Sequence, residues 1–215
     1  APTVAVVGFG SGVVSGIASG TTIITYTLAT GCIATAVVTV NPLPAAIAGA
    51  NNVCIGLATA LSDVTPSGTW SSSTASVASV SSSGVVSGIV AGTAVISYTL
   101  PTGCLRTMSF TVNPLPAAII GPATVCTGAA ITLADATPGG SWTSGNLSIA
   151  TIGSATGVVT GITNGVTAIT YTLSTGCIAY TTVTVNSSPA AITGTTALCV
   201  GASAFLSSAT SGGSW

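Results

Sequence analysis

The chain has 215 residues, of which 48% are hydrophobic and 1% charged, and its whole charged inventory is Arg106, Asp63 and Asp135, with no histidine. General acid–base chemistry needs a group that titrates near neutral pH, and a nucleophilic serine or threonine needs a base beside it. Neither requirement is met, a zinc site built on histidine has no ligands, a calcium cage wants several carboxylates at one place, and one cation cannot make a phosphate-binding field; the expectation is no enzyme, no cofactor, no metal and no nucleic acid.

In chain order, residues 1–40 contain TVAVVGFGSGVVSGI and then an alternating run in which Ile24, Tyr26 and Leu28 share one face. NPLP at Asn41–Pro44 opens residues 41–112, which carry Cys54, Trp70, Cys104 and the alternating trio Ile96, Tyr98, Leu100. NPLP returns at Asn113–Pro116 and opens residues 113–185, with Cys126, Trp142, Cys177 and the trio Ile169, Tyr171, Leu173. NSSP at Asn186–Pro189 opens residues 186–215, which hold Cys199 and stop at Trp215. By subtraction the tryptophans lie 72 and 73 residues apart, so the chain is a tandem repeat with two full units. Residues 1–40 match only the C-terminal half of a unit and residues 186–215 only the N-terminal half. The expectation is that the two halves complete one domain head to tail between successive units. A window on a longer polypeptide is preferred to separate subunits that donate strands.

Within residues 113–185 the apolar period is two and β-branched residues abound, which predicts half-buried strands. PAAI at 116–119 reads as a first strand, AAITLAD as a second and SWTS as a third. IATI and GVVTGI read as the next pair. VTAITYTL and IAYTTVTV form a final hairpin across a turn at Ser174–Gly176. No stretch has a helical period. About seven short strands separated by Gly, Pro and Ser turns predict an all-β fold of tandem small antiparallel sandwiches. A mean hydropathy of +0.88 does not imply a membrane span, because every apolar run ends well short of the roughly 20 residues a spanning helix needs.

The run GTWSSSTASVASVSSSGVVSGIVAGTAVISYT, from Gly68 to Thr99, resembles the bacterial immunoglobulin-like domain, with its W-S-S run, then V-A-T-V, G-x-V-x-G and A-G-T-A-x-I. The VC-x-G and TGC positions and the NPLP joint resemble tandem repeats of giant secreted surface proteins of Bacteroidota, gliding-motility adhesins among them. The resemblance implies immunoglobulin-like sandwiches on a bacterial surface, with roles as spacers, adhesive modules or ligand-binding appendages.

Six cysteines without other metal ligands, and without C-x-x-C spacing, predict disulfides and therefore an oxidising, extracellular location. One pairing is internal to each repeat, Cys54 with Cys104 and Cys126 with Cys177, leaving Cys32 and Cys199 to meet between successive units. It would contribute about 4 kcal/mol per repeat in the chain-entropy model. The other crosses the joints: Cys32 with Cys54, Cys104 with Cys126, Cys177 with Cys199. The internal scheme is preferred because it assumes nothing about domain packing.

Trp70, Trp142 and Trp215 could stack on sugars, but their recurrence between Ser and Thr predicts core positions, together with Tyr26, Tyr98 and Tyr171. Asp63 and Asp135, each in D-x-T-P, predict turns closed by the carboxylate on its own backbone rather than calcium sites. Asn146 and Asn186 fit a glycosylation sequon, abundant Ser and Thr allow surface glycan, and Thr181, Thr182 and Thr184 read as the outer face of a strand rather than an ice-binding row. The functional expectation is a structural rod segment of an extracellular filament or cell-surface adhesin. Its partner is itself, head to tail and laterally. The alternative is a carbohydrate- or ice-binding module.

Overall fold

The computed structural model describes residues 4–215. The chain divides into two compact units, Ala1–Pro114 and Leu115–Trp215. Among the described residues there is no helix, as the absence of a 3.6-residue period requires.

The first unit opens with β1 (Ala5–Val7) and β2 (Val14–Gly16), paired antiparallel, followed by the long hairpin of β3 (Gly20–Thr27) and β4 (Ile33–Val40). A seven-stranded domain follows: β5 (Asn52–Cys54), β6 (Ala58–Ala60), β7 (Thr69–Ser72), β8 (Ala78–Val80), β9 (Val85–Gly88), β10 (Gly92–Thr99) and β11 (Leu105–Asn113). Its strands form a four-stranded sheet ordered β5-β11-β10-β7 and a three-stranded sheet ordered β6-β9-β8. Phe110, Ile96, Val112, Val86 and Ala78 come from both sheets into one buried cluster, so the domain is a sandwich. Burial of each large side chain contributes about 1.5–3 kcal/mol.

The second unit repeats the design. It contains β12 (Thr124–Cys126), β13 (Ala130–Thr132), β14 (Ser141–Ser144), β15 (Ala150–Ile152), β16 (Val158–Gly161), β17 (Gly165–Thr172) and β18 (Ile178–Asn186). They form sheets ordered β12-β18-β17-β14 and β13-β16-β15 around Ile169, Val159, Val183, Val185 and Trp142. The unit ends with β19 (Thr193–Gly194) and β20 (Leu206–Ser207), two residues each.

Two elements differ from the sequence reading. Residues 116–119 form no strand; their stretch contributes only an isolated bridge, Ile120 to Ala134, because Pro114 and Pro116 remove donors and the apolar residues pack without a ladder. The strand that does open each sandwich is β5 or β12, and it pairs in parallel with the last strand, Cys54 opposite Asn113 and Cys126 opposite Asn186. The remaining strand pairs are antiparallel.

The β8–β9 turn shows why glycine is needed there. Gly84 has φ +83°, and a Cβ on it would lie 2.5 Å from the Leu61 carbonyl oxygen. That close approach lets the Leu61 N–H donate to the Gly84 carbonyl at 2.9 Å, extending the β6–β9 ladder by one pair; Leu133 does the same to Gly157 beside β13 and β16.

Candidate functional site

In a complete repeat the tryptophan, the tyrosine and the D-x-T-P turn form one cluster. Strand register puts Trp70 opposite Tyr98 and Trp142 opposite Tyr171, with ring centroids 4.7 Å apart in each pair and tilts of 52° and 49°. The Tyr98 hydroxyl donates to the Thr65 carbonyl at 2.6 Å and accepts the Gly68 N–H at 3.0 Å; Tyr171 does the same with Thr137 and Gly140. The turn is held from within, since the Asp63 carboxylate accepts the Thr65 N–H and the Asp135 carboxylate the Thr137 N–H. The Thr65 hydroxyl in turn accepts the Ala45 N–H, and Thr137 that of Ala117. These carboxylates close turns, and among the described residues no group of three or more potential ligands gathers.

Residues 5–40 and residues 186–215 each carry one side of this cluster. On the β3–β4 hairpin, Tyr26 stands where Tyr98 stands on β10, yet it is 69% exposed against 6%. Beside it, residues of β1 and β3 line an open groove between the two small sheets. In residues 186–215 the turn is already formed: the Ala190 N–H donates to the Thr210 hydroxyl at 2.8 Å, and Ser208 takes the place of the aspartate, accepting the Thr210 N–H. A second concave surface, lined by Ile192, Leu206, Thr210, Gly213 and Trp215 among others, lies against that turn. Trp215 is 79% exposed.

The core assignment of Tyr26 and Trp215 is therefore corrected: neither is buried in the described chain, because the strands that cover their counterparts are missing from their own half. Trp70 is half-buried, while Trp142, Tyr98 and Tyr171 are core residues.

The cysteines also depart from expectation. Cys54 is disulfide-bonded, as is Cys177, whereas Cys32, Cys104, Cys126 and Cys199 are thiols. Neither internal pair, Cys54 with Cys104 or Cys126 with Cys177, is formed. The reason lies in the topology. Cys54 is level with Asn113 at the downstream end of β11, while Cys104 sits in the turn before its upstream end. The nine residues of β11 put those ends about 27 Å apart at the usual strand rise, whereas a disulfide needs Cα atoms within about 7 Å. The same holds for Cys126 and Cys177 at the two ends of β18.

Sequence reasoning missed two groups. The tyrosine hydroxyl as a clamp on the turn could have been suspected from the fixed recurrence of Tyr with D-x-T-P. The joint asparagines Asn41, Asn113 and Asn186 recur at the repeat period, and they sit where cysteines meet them. Asn113 and Asn186 are register partners of Cys54 and Cys126, and the Cys104 thiol lies 3.8 Å from the Asn41 carbonyl, to which it donates.

No protein-family model matches the chain, and no curated protein matches it. Among solved structures it is similar to domains 4 and 5 of the S-layer protein SbsC, at 25% identity over 60% of this chain and 81% of that one, with a TM-score of 0.27. It is also similar to a C-terminal 282-residue fragment of intimin in complex with the intimin-binding domain of the translocated intimin receptor, at 14% identity over 71% and 67% with a TM-score of 0.44. Immunoglobulin domains 1–5 of Sidekick-1 match at 12% identity over 79% and 45%, with a TM-score of 0.26.

Proposed function

We propose that this chain is a rod segment of an extracellular fibre or giant surface adhesin, made of tandem immunoglobulin-like repeats. In this reading residues 186–215 of one copy and the first 40 residues of the next complete a third sandwich. The observation that carries it is the complementarity of the two open halves. Residues 5–40 supply counterparts of β8 to β11 and lack the first strands; residues 186–215 supply the bridge, the turn and the tryptophan of the first strands and lack the rest. Superposing the repeats gives specific contacts: Trp215 on the ring of Tyr26, the Tyr26 hydroxyl between the Thr210 carbonyl and the Gly213 N–H, and the Leu206 N–H on the Gly12 carbonyl. Gly12 already has φ +70° with nothing within 4 Å of where a Cβ would be, the conformation Gly84 uses to receive Leu61.

A bonded state at Cys54 and Cys177 supports an oxidising compartment. With three charged side chains in 215 residues, the flanks have little charge to discourage edge pairing between rods. Electron microscopy of the full chain under reducing conditions tests the reading. Unbranched fibres with a period of three sandwiches are expected, and a monodisperse monomer at high concentration would overturn it. Intact mass of reduced native material separates subunits near 20.3 kDa from one long polypeptide.

A further inference from the structure

The six cysteines fall into two kinds by their place in the sandwich. Cys54 and Cys126 lie at the downstream end of a repeat, each level with the asparagine at which the chain leaves it, Asn113 and Asn186. Hydrogen bonds fix the Cys126 region to that joint: the Thr127 N–H donates to the Asn186 carbonyl at 2.8 Å, and the Ser188 hydroxyl donates to the Thr127 carbonyl at 2.7 Å. Cys104 and Cys177 lie at the upstream end, in the turn before the last strand, where the Leu100 N–H reaches the Cys104 carbonyl and the Leu173 N–H the Cys177 carbonyl. Cys32 occupies the same turn before β4, with the Leu28 N–H on its carbonyl. Cys199 holds the downstream position in sequence, 73 residues after Cys126 by subtraction.

Both kinds converge on the joint asparagine. The downstream cysteine is the cross-strand neighbour of the asparagine that ends its own repeat. At Asn41, the residue directly after β4, the upstream cysteine of the following repeat makes the contact, the Cys104 thiol donating to the Asn41 carbonyl. In a completed sandwich Cys199 would sit opposite Asn41, which Cys104 already contacts.

We propose, resting on the fibre reading above, that the four thiols are the halves of two further disulfides, each closing a joint: Cys126 with Cys32 of the following copy, and Cys199 with Cys104 of the following copy. The rule is that the downstream cysteine of one repeat bonds the upstream cysteine of the next. The two cysteines already oxidised, Cys54 and Cys177, are one of each kind. Their burial agrees: Cys54 and Cys177 are buried, while Cys32, Cys126 and Cys199 are exposed and Cys104 half-exposed, as expected where the covering neighbour is another copy. The rule rejects a Cys32–Cys199 bond on the ground that rejects Cys54–Cys104, because those two would lie at opposite ends of one strand. In each new bond two thiols lose two protons and two electrons; the electrons pass to a soluble disulfide, which leaves as two thiols.

The test uses the full chain, assembled first under reduction and then exposed to oxidised glutathione. Fibres are checked by microscopy before and after, remaining thiols are alkylated, and proteolytic peptides are mapped by mass spectrometry without reduction. Linked Cys126–Cys32 and Cys199–Cys104 peptides are expected, with a ladder of multiples of the 20.3 kDa chain on a non-reducing denaturing gel that collapses on reduction. In the Cys126→Ser variant, Cys32 should become fully alkylatable while Cys104 and Cys199 stay protected. Fibres in which these four cysteines remain alkylatable, or in which Cys126 is linked to Cys177 or Cys32 to Cys199, would overturn the linkage and leave the fibre reading standing. Failure to form fibres under reduction would overturn both.

Discussion

The complete repeat of residues 41–112 and the open half of residues 5–40 use nearly the same hairpin, with opposite results. β10 and β3 are eight residues each; one hides Ile96 and Tyr98, and the other leaves their counterparts Ile24 half-buried and Tyr26 exposed. Backbone pairing and β-branched side chains define a two-stranded ribbon in both places, and what the core adds is burial of one face against a second sheet. An isolated two-stranded ribbon is at best marginally stable in water, so the open half is the part of the molecule with most to gain from a partner.

Substitutions at matched positions break or sharpen this comparison. Phe110 on β11 is fully buried, and its counterpart Val38 on β4 is half-buried. Phe110→Ala should cost about 3–5 kcal/mol through lost burial and the cavity it leaves, and Val38→Ala well under about 1 kcal/mol in dispersed chains. Urea unfolding of both variants, before and after fibre assembly, measures the difference. Assembly should raise the cost at Val38, and an unchanged cost would mean that the half stays open.

Tyr98→Phe comes next. It strips the Thr65 carbonyl and the Gly68 N–H of their shared partner and should destabilise by about 1–3 kcal/mol. Tyr26→Phe should be silent in dispersed chains and weaken fibres, read as a higher critical concentration for assembly. The third matched pair lies at the β8–β9 turn and its counterpart in the open half. Gly84→Ala meets a left-handed φ, costing about 1–2 kcal/mol, together with the Leu61 oxygen. Gly12→Ala meets only the backbone cost in the dispersed chain. Thermal melting of the two should differ, and the gap should close once fibres form.

Much of this architecture was legible. Alternation over Ile169, Tyr171 and Leu173 marks a strand eight residues long, and the Ser174–Gly176 turn fixes its partner, so local sequence specifies the hairpin. The strand Thr124–Cys126 was not legible. Three residues between Gly121-Pro122 and Thr127-Gly128 are too few to show a period, and their parallel partner lies about 60 residues away in sequence, a choice set by tertiary closure rather than by any turn. PAAI failed for the converse reason, because an apolar run says what will be buried and not whether it joins a ladder. The cysteine pairing depended on that same unseen strand. Once Cys54 is placed level with Asn113, the length of β11 forbids Cys104, but spacing alone carries no information about which end of a sheet a residue occupies.

The parallel seam between first and last strands also has a mechanical meaning. β5 and β11 run in the same direction, held by Thr111–Asn52, Val112–Val53 and Asn113–Cys54 pairing and flanked by the Thr111 N–H on Asn51 and the Ile55 N–H on Asn113. Tension along the chain draws the start of β5 one way and the end of β11 the other. The seam is then loaded in shear, so its hydrogen bonds must yield together instead of unzipping singly. Each sandwich in series would resist stretching through a patch of a few residues, and the load it bears before opening would be set there rather than by the size of its core.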